Sequence, residues 1–287
     1  MTIDLHIHST ASDGSLSPKT IVKKAKKMNY DAISITDHDT INGLDEAIKT
    51  GNKINLEIIP GIEFNTKLEG HEVHILGYFI NYKNEKLLNE TRKIRNSRIK
   101  RVKKIINRLN EIGFDITTNE VFSLSDGGSV GRSHIARILK EKGFVKSFSE
   151  AFDKYLAVGK TAYFDRYRLN SIDAIKLIEK ADGIPILAHP GLINNDDIVD
   201  KIVNIGIKGI EAYYYEHCSK ETSKYIRYAK NNNLLITGGS DDHGPGNKDG
   251  IRLGKVKLDY DIVENLKSYY KFSFKPKRQE SRYLCRN

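Results

Sequence analysis

The chain reads as an α/β protein: buried strands alternating with helices, arranged as a parallel barrel and interrupted once by an all-helical stretch. Three observations predict this class. Short runs rich in Ile, Leu and Val recur between amphipathic segments long enough for parallel crossovers. Seven of these runs carry a His, Asp or Glu, six of them at or just past the run's C-terminal end. From about Asn84 to Asp165 the pattern becomes purely helical.

Bulk composition sets the frame. A length of 287 residues suits one large α/β domain or a domain with an insertion. Charged residues at 29% and hydrophobic ones at 39%, with no low-complexity tract, indicate an ordinary globular chain. No run approaches the roughly 18 apolar residues of a membrane span, and the first residues lack a signal-peptide layout. Cys218 and Cys285 make neither a disulfide framework nor a Cys-x-x-Cys pair. The expectation is therefore a cytoplasmic protein with no membrane contact and no obligate protein partner. The net charge of +10 comes from Lys spread almost everywhere, so it is informative only where it concentrates.

The first strand is Ile3-Asp4-Leu5-His6-Ile7-His8, where alternation sends His6 and His8 to one side. Asp13-Gly14 forms the turn that follows, and Asp13 is either turn chemistry or a further ligand. Ser17-Pro18 opens a helix in the favoured cap order, with Ile21, Val22, Ala25 and Met28 as its apolar stripe. A second strand leads into Thr36-Asp37-His38-Asp39, poor packing material but good cation ligands. A helix is expected over residues 42–49, then a strand ending at Glu63 and a strand carrying His74. His71 reads as a solvent residue before that strand.

The helical stretch begins with a stripe from Leu88 to Ile112, stopped by Gly113. Its other face carries Arg92, Lys93, Arg95, Arg98, Lys100, Arg101, Lys103, Lys104 and Arg108, read as solvated surface rather than an RNA track. Helices are also expected over 132–142 and from Ser149. Alternation then resumes with strands ending at His189, Glu211 and Asp241-Asp242-His243, separated by helices over 196–204 and 219–231. The predicted organisation is a discontinuous barrel over 1–83 and 166–270, a helical insertion over 84–165 acting as a substrate lid, and a basic tail over 271–287. Parallel barrels gather their βα loops at one end, so these residues are expected to converge there.

Together, His6-x-His8, Thr36-Asp-His38-Asp, Gly61-Ile-Glu63, His74, Ala188-His189-Pro190 and Ser240-Asp-Asp-His243 resemble the successive motifs of the PHP (polymerase and histidinol phosphatase) superfamily. The resemblance extends to about Gly254. Gly131-Arg132-Ser-His134-Ile-Ala-Arg137 with Val158-Gly-Lys160 resembles one branch, the bacterial nucleoside 3′,5′-bisphosphate and AMP phosphatases.

The resemblance implies a distorted (β/α)7 barrel of the PHP type with three divalent ions. His6, His8, Glu63 and Asp241 would hold one, Glu63 would bridge to a second completed by His74 and His189, and Asp13, His38 and His243 would hold the third. Many relatives have His where Asp13 stands. Mixed imidazole and carboxylate donors suit Mn, Fe or Zn. Asp37, Asp39 and Asp242 are expected behind the ligands, orienting imidazoles.

The implied activity is nucleotide phosphomonoester hydrolysis by a metal-activated hydroxide, without a covalent phosphoenzyme. Arg132, His134, Lys160 and Arg166 are candidates for gripping a phosphate, and His217 faces substrate or solvent. Alternatives are a 5′-3′ exoribonuclease on short RNA ends and a histidinol-phosphatase-like enzyme. Outside this class stand an amidohydrolase-type deaminase and a non-catalytic nucleic-acid-binding module.

Overall fold

The computed structural model describes residues 2–125, 128–246 and 250–274. The expected tail therefore lies almost wholly outside the described residues, as does Cys285.

One mixed sheet organises the chain. Its strands are β1 (Thr2–Ile7), β2 (Tyr30–Ile35), β3 (Glu57–Leu68), β4 (His71–Tyr78), β5 (Ile184–Leu187), β6 (Gly209–Tyr214), β7 (Leu235–Gly239) and the short β8 (Leu258–Asp259). In space they run β7-β6-β5-β4-β3-β2-β1-β8. The β1–β2, β2–β3, β5–β6 and β6–β7 pairs are parallel, as expected. β4 is the exception among the first seven, antiparallel to both neighbours. Glu69 and Gly70 both have positive φ, 47° and 86°, which is the geometry of a two-residue hairpin turn. So short a connection cannot cross over, and β4 must reverse. The reversal puts His74, early in β4, opposite Asn65 beyond Glu63 on β3.

The sheet curls until its ends meet. The Asp241 N–H donates to the His6 carbonyl at 2.8 Å and the His8 N–H to the Asp242 carbonyl at 2.9 Å. A side chain at Gly239 would collide with the His6 backbone, so this approach depends on glycine. Lower down, β8 pairs with Thr2 and Ile3 of β1.

Helices α1 (Pro18–Lys27), α2 (Leu44–Ile54), α7 (Ser171–Lys180), α8 (Asp196–Ile205), α9 (Ser219–Asn231) and α10 (Asp261–Phe274) surround the sheet, and both its faces are buried. Between β4 and α7 lie α3 (Glu85–Glu111), α4 (Thr118–Ser123), α5 (Arg132–Glu141) and α6 (Phe148–Ala151), the last continuing as a π-turn over Phe152–Leu156. Val102, Ile105, Leu109, Ile135, Leu139 and Leu156 form a separate core there. α3 serves both cores, because Leu87 and Ile94 pack into the barrel's. Among the described residues no helix is long and apolar enough to cross a membrane.

Two strands outrun their expected ends. β3 continues five residues past Glu63, and β6 continues to Tyr214, so Glu63 and Glu211 lie within strands.

Candidate metal centre

The residues at one end of the barrel converge as alternation requires. His6 and His8 come from the end of β1, with their Nε2 atoms 3.1 Å apart. Asp241 Oδ1 lies 3.4 and 3.0 Å from those two nitrogens, and Glu63 Oε2 lies 3.4 and 3.3 Å from them. A tetrahedral shell with bonds of about 2.0–2.1 Å has donor–donor edges of roughly 3.3–3.4 Å. Three of the five pairs lie in that range, and the other two, at 3.0 and 3.1 Å, fall slightly short of it.

The other oxygen of Glu63 faces a second group. His74 Nδ1 is 2.9 Å and His189 Nε2 is 3.1 Å from Glu63 Oε1. His38 Nδ1 stands 2.8 Å from Glu63 Oε2, so His38 belongs beside Glu63 and His74 as well as with Asp13. The third group is Asp13, His243, His38 and His8, with His243 Nε2 at 3.3 Å from Asp13 Oδ1. The structure thus brings all nine ligand candidates together, with His8 and His38 each bordering two groups.

The donor chemistry fits cations. His8 Nδ1, Asp13 Oδ1, His38 Nδ1 and Glu63 Oε2 are buried without a hydrogen-bond partner. Leaving such groups unpaired costs about 1–3 kcal/mol each, and bound cations would satisfy them. Electrostatics agree. Burial opposes protonation of His8, yet the nearby carboxylates of Asp241 and Glu63 prevail and raise its pKa to about 10. Burial likewise opposes protonation of His74, and the Glu63 charge still lifts it to about 10. The carboxylates demand positive charge, and that demand is what a metal site presents.

Part of the backbone strain lies here. Asp39, His189 and Asp241 all have positive φ, at 56°, 23° and 51°. Such conformations cost on the order of 1–3 kcal/mol and persist where the surroundings enforce them.

The aspartates flanking the ligands do not orient imidazoles, contrary to expectation. Asp37 accepts from the Ser9 N–H at 2.7 Å and from the Ser9 and Ser12 hydroxyls, which fixes the loop leading to Asp13. Asp39 accepts from Arg98 and Arg166. Asp242 accepts from the Arg252 N–H at 2.6 Å. The imidazole partner is instead Glu211, whose Oε1 accepts from His6 Nδ1 at 2.9 Å. The signal for Glu211 was a lone acid in a buried strand.

Above the ligands lies a cavity of about 420 Å³. Of the five phosphate- or substrate-facing candidates, Arg132 and Arg166 line it, whereas His134, Lys160 and His217 do not. His134 is buried and accepts the Gly131 N–H at 3.1 Å, so it caps α5. Lys160 is exposed on a turn. His217 Nδ1 donates to the Ala212 carbonyl at 3.0 Å and Nε2 accepts the Gly191 N–H at 3.1 Å, which spends both ring nitrogens on backbone.

In their place the wall contains Arg98, Arg101 and Arg168. Arg98 and Arg101 are buried on the apolar side of α3, not on its solvated face. The readable signal was their spacing from Ile94 and Ile105, which puts them in the stripe. Burial and neighbouring guanidiniums push Arg166 down to about 9 and Arg101 to about 10. Buried cations crowded this way form a place for an anion.

Comparison with known proteins agrees with this geometry. The PHP domain family model matches residues 4–236. A 5′-3′ exoribonuclease of Haemophilus influenzae is 33% identical over 268 residues, covering 92% of this chain and 96% of its own. A 3′,5′-nucleoside bisphosphate phosphatase of Chromobacterium violaceum is 30% identical over 250 residues, covering 85% and 88%. A solved Bifidobacterium adolescentis structure, described as a metal-dependent phosphoesterase, superposes with a TM-score of 0.84 at 28% identity, covering 92% of this chain and 94% of that one. With nine ligand candidates converging on one barrel end and a family match over most of its length, the chain belongs to the PHP domain family.

Proposed function

We propose that the chain is a metal-dependent phosphomonoesterase acting on nucleotides, with nucleoside 3′,5′-bisphosphates or nucleoside monophosphates as its substrates. One observation carries this reading: Asp13, His38, His74, Asp241 and His243 share a cavity with Arg98, Arg101, Arg132, Arg166 and Arg168. Its volume suits a small organic ligand, and its cations suit one bearing more than one phosphate.

In this reading the three donor groups hold three ions, of Mn, Fe or Zn. Bound there, such ions would supply Lewis acidity toward phosphoryl oxygens and acidify a coordinated water. The protein's own groups do the rest. Tyr214 Oη donates to Asp241 Oδ2 at 3.1 Å, and Arg252 Nη1 lies 3.5 Å from that oxygen. Both hold the carboxylate with Oδ1 toward His6 and His8. Arg101 Nη2 and Arg168 Nε are buried donors without a hydrogen-bond partner, ready for phosphate oxygens. The π-turn brings Phe152 to the wall beside Phe148, giving the cavity an apolar part.

A second reading, hydrolysis at the 5′ ends of short RNA, is favoured by the Haemophilus relative, matched over 96% of its length. Protein stripped with EDTA and reloaded with Mn²⁺ should be given 3′,5′-bisphosphates, nucleoside monophosphates, histidinol phosphate and 5′-phosphorylated RNA. Phosphate release from the mononucleotides supports the phosphomonoesterase. Mononucleotides liberated from RNA, with negligible phosphate release, would favour the exoribonuclease. Ammonia in place of phosphate would move the chain to the deaminases.

A further inference from the structure

We propose that Glu211 is the positioning residue that sets the tautomer of His6 and the backbone of His189 together, and so governs metal loading at two groups of donors. The inference rests on the metal-centre reading above. Glu211 lies within β6, fully buried, and both its carboxylate oxygens are engaged. Oε1 accepts from His6 Nδ1 at 2.9 Å, and Oε2 accepts from the His189 N–H at 2.8 Å.

Each bond has a specific consequence. A neutral imidazole carries one N–H, so fixing it on Nδ1 leaves the lone pair on Nε2. Nε2 is the atom 3.1 Å from His8 Nε2 and 3.4 Å from both Asp241 Oδ1 and Glu63 Oε2. His189 is held at φ 23°, immediately before Pro190, which has no N–H to offer. The Glu211 oxygen is thus the acceptor for the N–H at this bend, and the bend sends His189 Nε2 toward Glu63. One side chain from β6 braces a ligand candidate from β1 and another from the end of β5.

Glutamine tests this, because its single carbonyl oxygen can accept at only one of the two positions. Wild type and Glu211→Gln should be stripped with chelator and titrated with Mn²⁺. Bound metal is read by elemental analysis, and melting is followed with and without the ion. We expect the Mn²⁺ affinity of the variant to fall about ten- to a hundred-fold. Its metal-induced rise in melting temperature should shrink, and kcat should fall while KM for a nucleotide changes much less. A wild-type titration curve overturns the inference. So does an equal loss of melting temperature with and without Mn²⁺ at unchanged affinity, which marks a purely structural role. If the glutamine variant does not fold, Glu211→Asp, which keeps the charge but withdraws the oxygens, is held to the same outcomes. Wild type that binds no Mn²⁺ would overturn the metal reading along with this one, whereas loading of wild type and variant alike overturns only the role of Glu211.

Discussion

Arg98 is tied to Asp39 across the boundary between the helical layer and the barrel rim: Arg98 Nε donates to Asp39 Oδ2 at 3.0 Å, and Nη2 of the same guanidinium reaches the same oxygen. Arg166 Nη2 shares that oxygen at 2.9 Å, and Asp39 Oδ1 accepts the Asn65 N–H at 3.1 Å. One carboxylate serves two cavity-lining guanidiniums. Burial alone would raise the Asp39 pKa, but Arg98 and Arg166 hold it below the usual value.

Asp39→Asn should therefore be costly. Removing one member of a buried charge pair commonly destabilises by about 3–5 kcal/mol, because the remaining charges stay buried. Urea denaturation should show a loss in this range, together with a raised KM for nucleotides. A loss under about 1 kcal/mol would mean that water replaces the carboxylate and that the tie contributes little.

Metal loading should depend on the convergent donors. Asp241→Asn and His38→Ala should stay folded, bind less Mn²⁺ and lose nearly all turnover, since the first removes a donor's negative charge and the second removes a donor. Elemental analysis beside phosphate-release assays checks this. Turnover that survives exhaustive EDTA treatment of either variant would exclude the metal mechanism.

Arg101 tests the anion wall when a bisphosphate is compared with an aryl phosphate, a comparison needed because its Nε also donates to the Phe164 carbonyl and its guanidinium lies over the Tyr163 ring. Arg132 also donates to the Leu156 carbonyl at 2.9 Å and lies over the Phe152 ring, so its loss mixes binding with folding. Arg101 retains a buried Nη2 without a hydrogen-bond partner. Arg101→Ala should lower kcat/KM for a bisphosphate by about ten- to a hundred-fold, equivalent to roughly 1.5–3 kcal/mol, and change an aryl phosphate far less. Equal losses on both substrates would place Arg101 at the cleaved phosphate instead of a second one.

Acid should expose His134. Burial holds its pKa down to about 4, against the attraction of Asp13, while the unfolded chain keeps the ordinary 6.5. Between these values the unfolded state binds a proton that the folded state refuses. The contribution is thus complete above about pH 6.5 and disappears as pH falls toward 4, a loss on the order of 3 kcal/mol. Metal-free His134→Asn, whose side-chain oxygen can still cap α5, should lose less stability than wild type between pH 7.5 and 4.5. Equal acid losses would assign the effect to other groups.

The ligand candidates were legible in the residues because chemistry and periodicity agree there. His6 and His8 had to share a side of β1, and acids and imidazoles at so many strand ends serve no packing purpose. The order of helices and strands was legible for the same reason, since apolar spacing is local information. What the residues did not reveal is partnership. Asp37, Asp39 and Asp242 sit beside ligands in the chain, yet their carboxylates turn to a serine loop, two arginines and a backbone amide. Arg98 and Arg101 looked like one charged face of α3, and only the packing of α3 over the barrel turns them inward. Glu211 is 205 residues from His6 and faces it through the interior of the barrel. Hydrogen bonds and ion pairs act over about 3 Å between atoms that the closing of the sheet brings together, so their partners are decided by the tertiary fold.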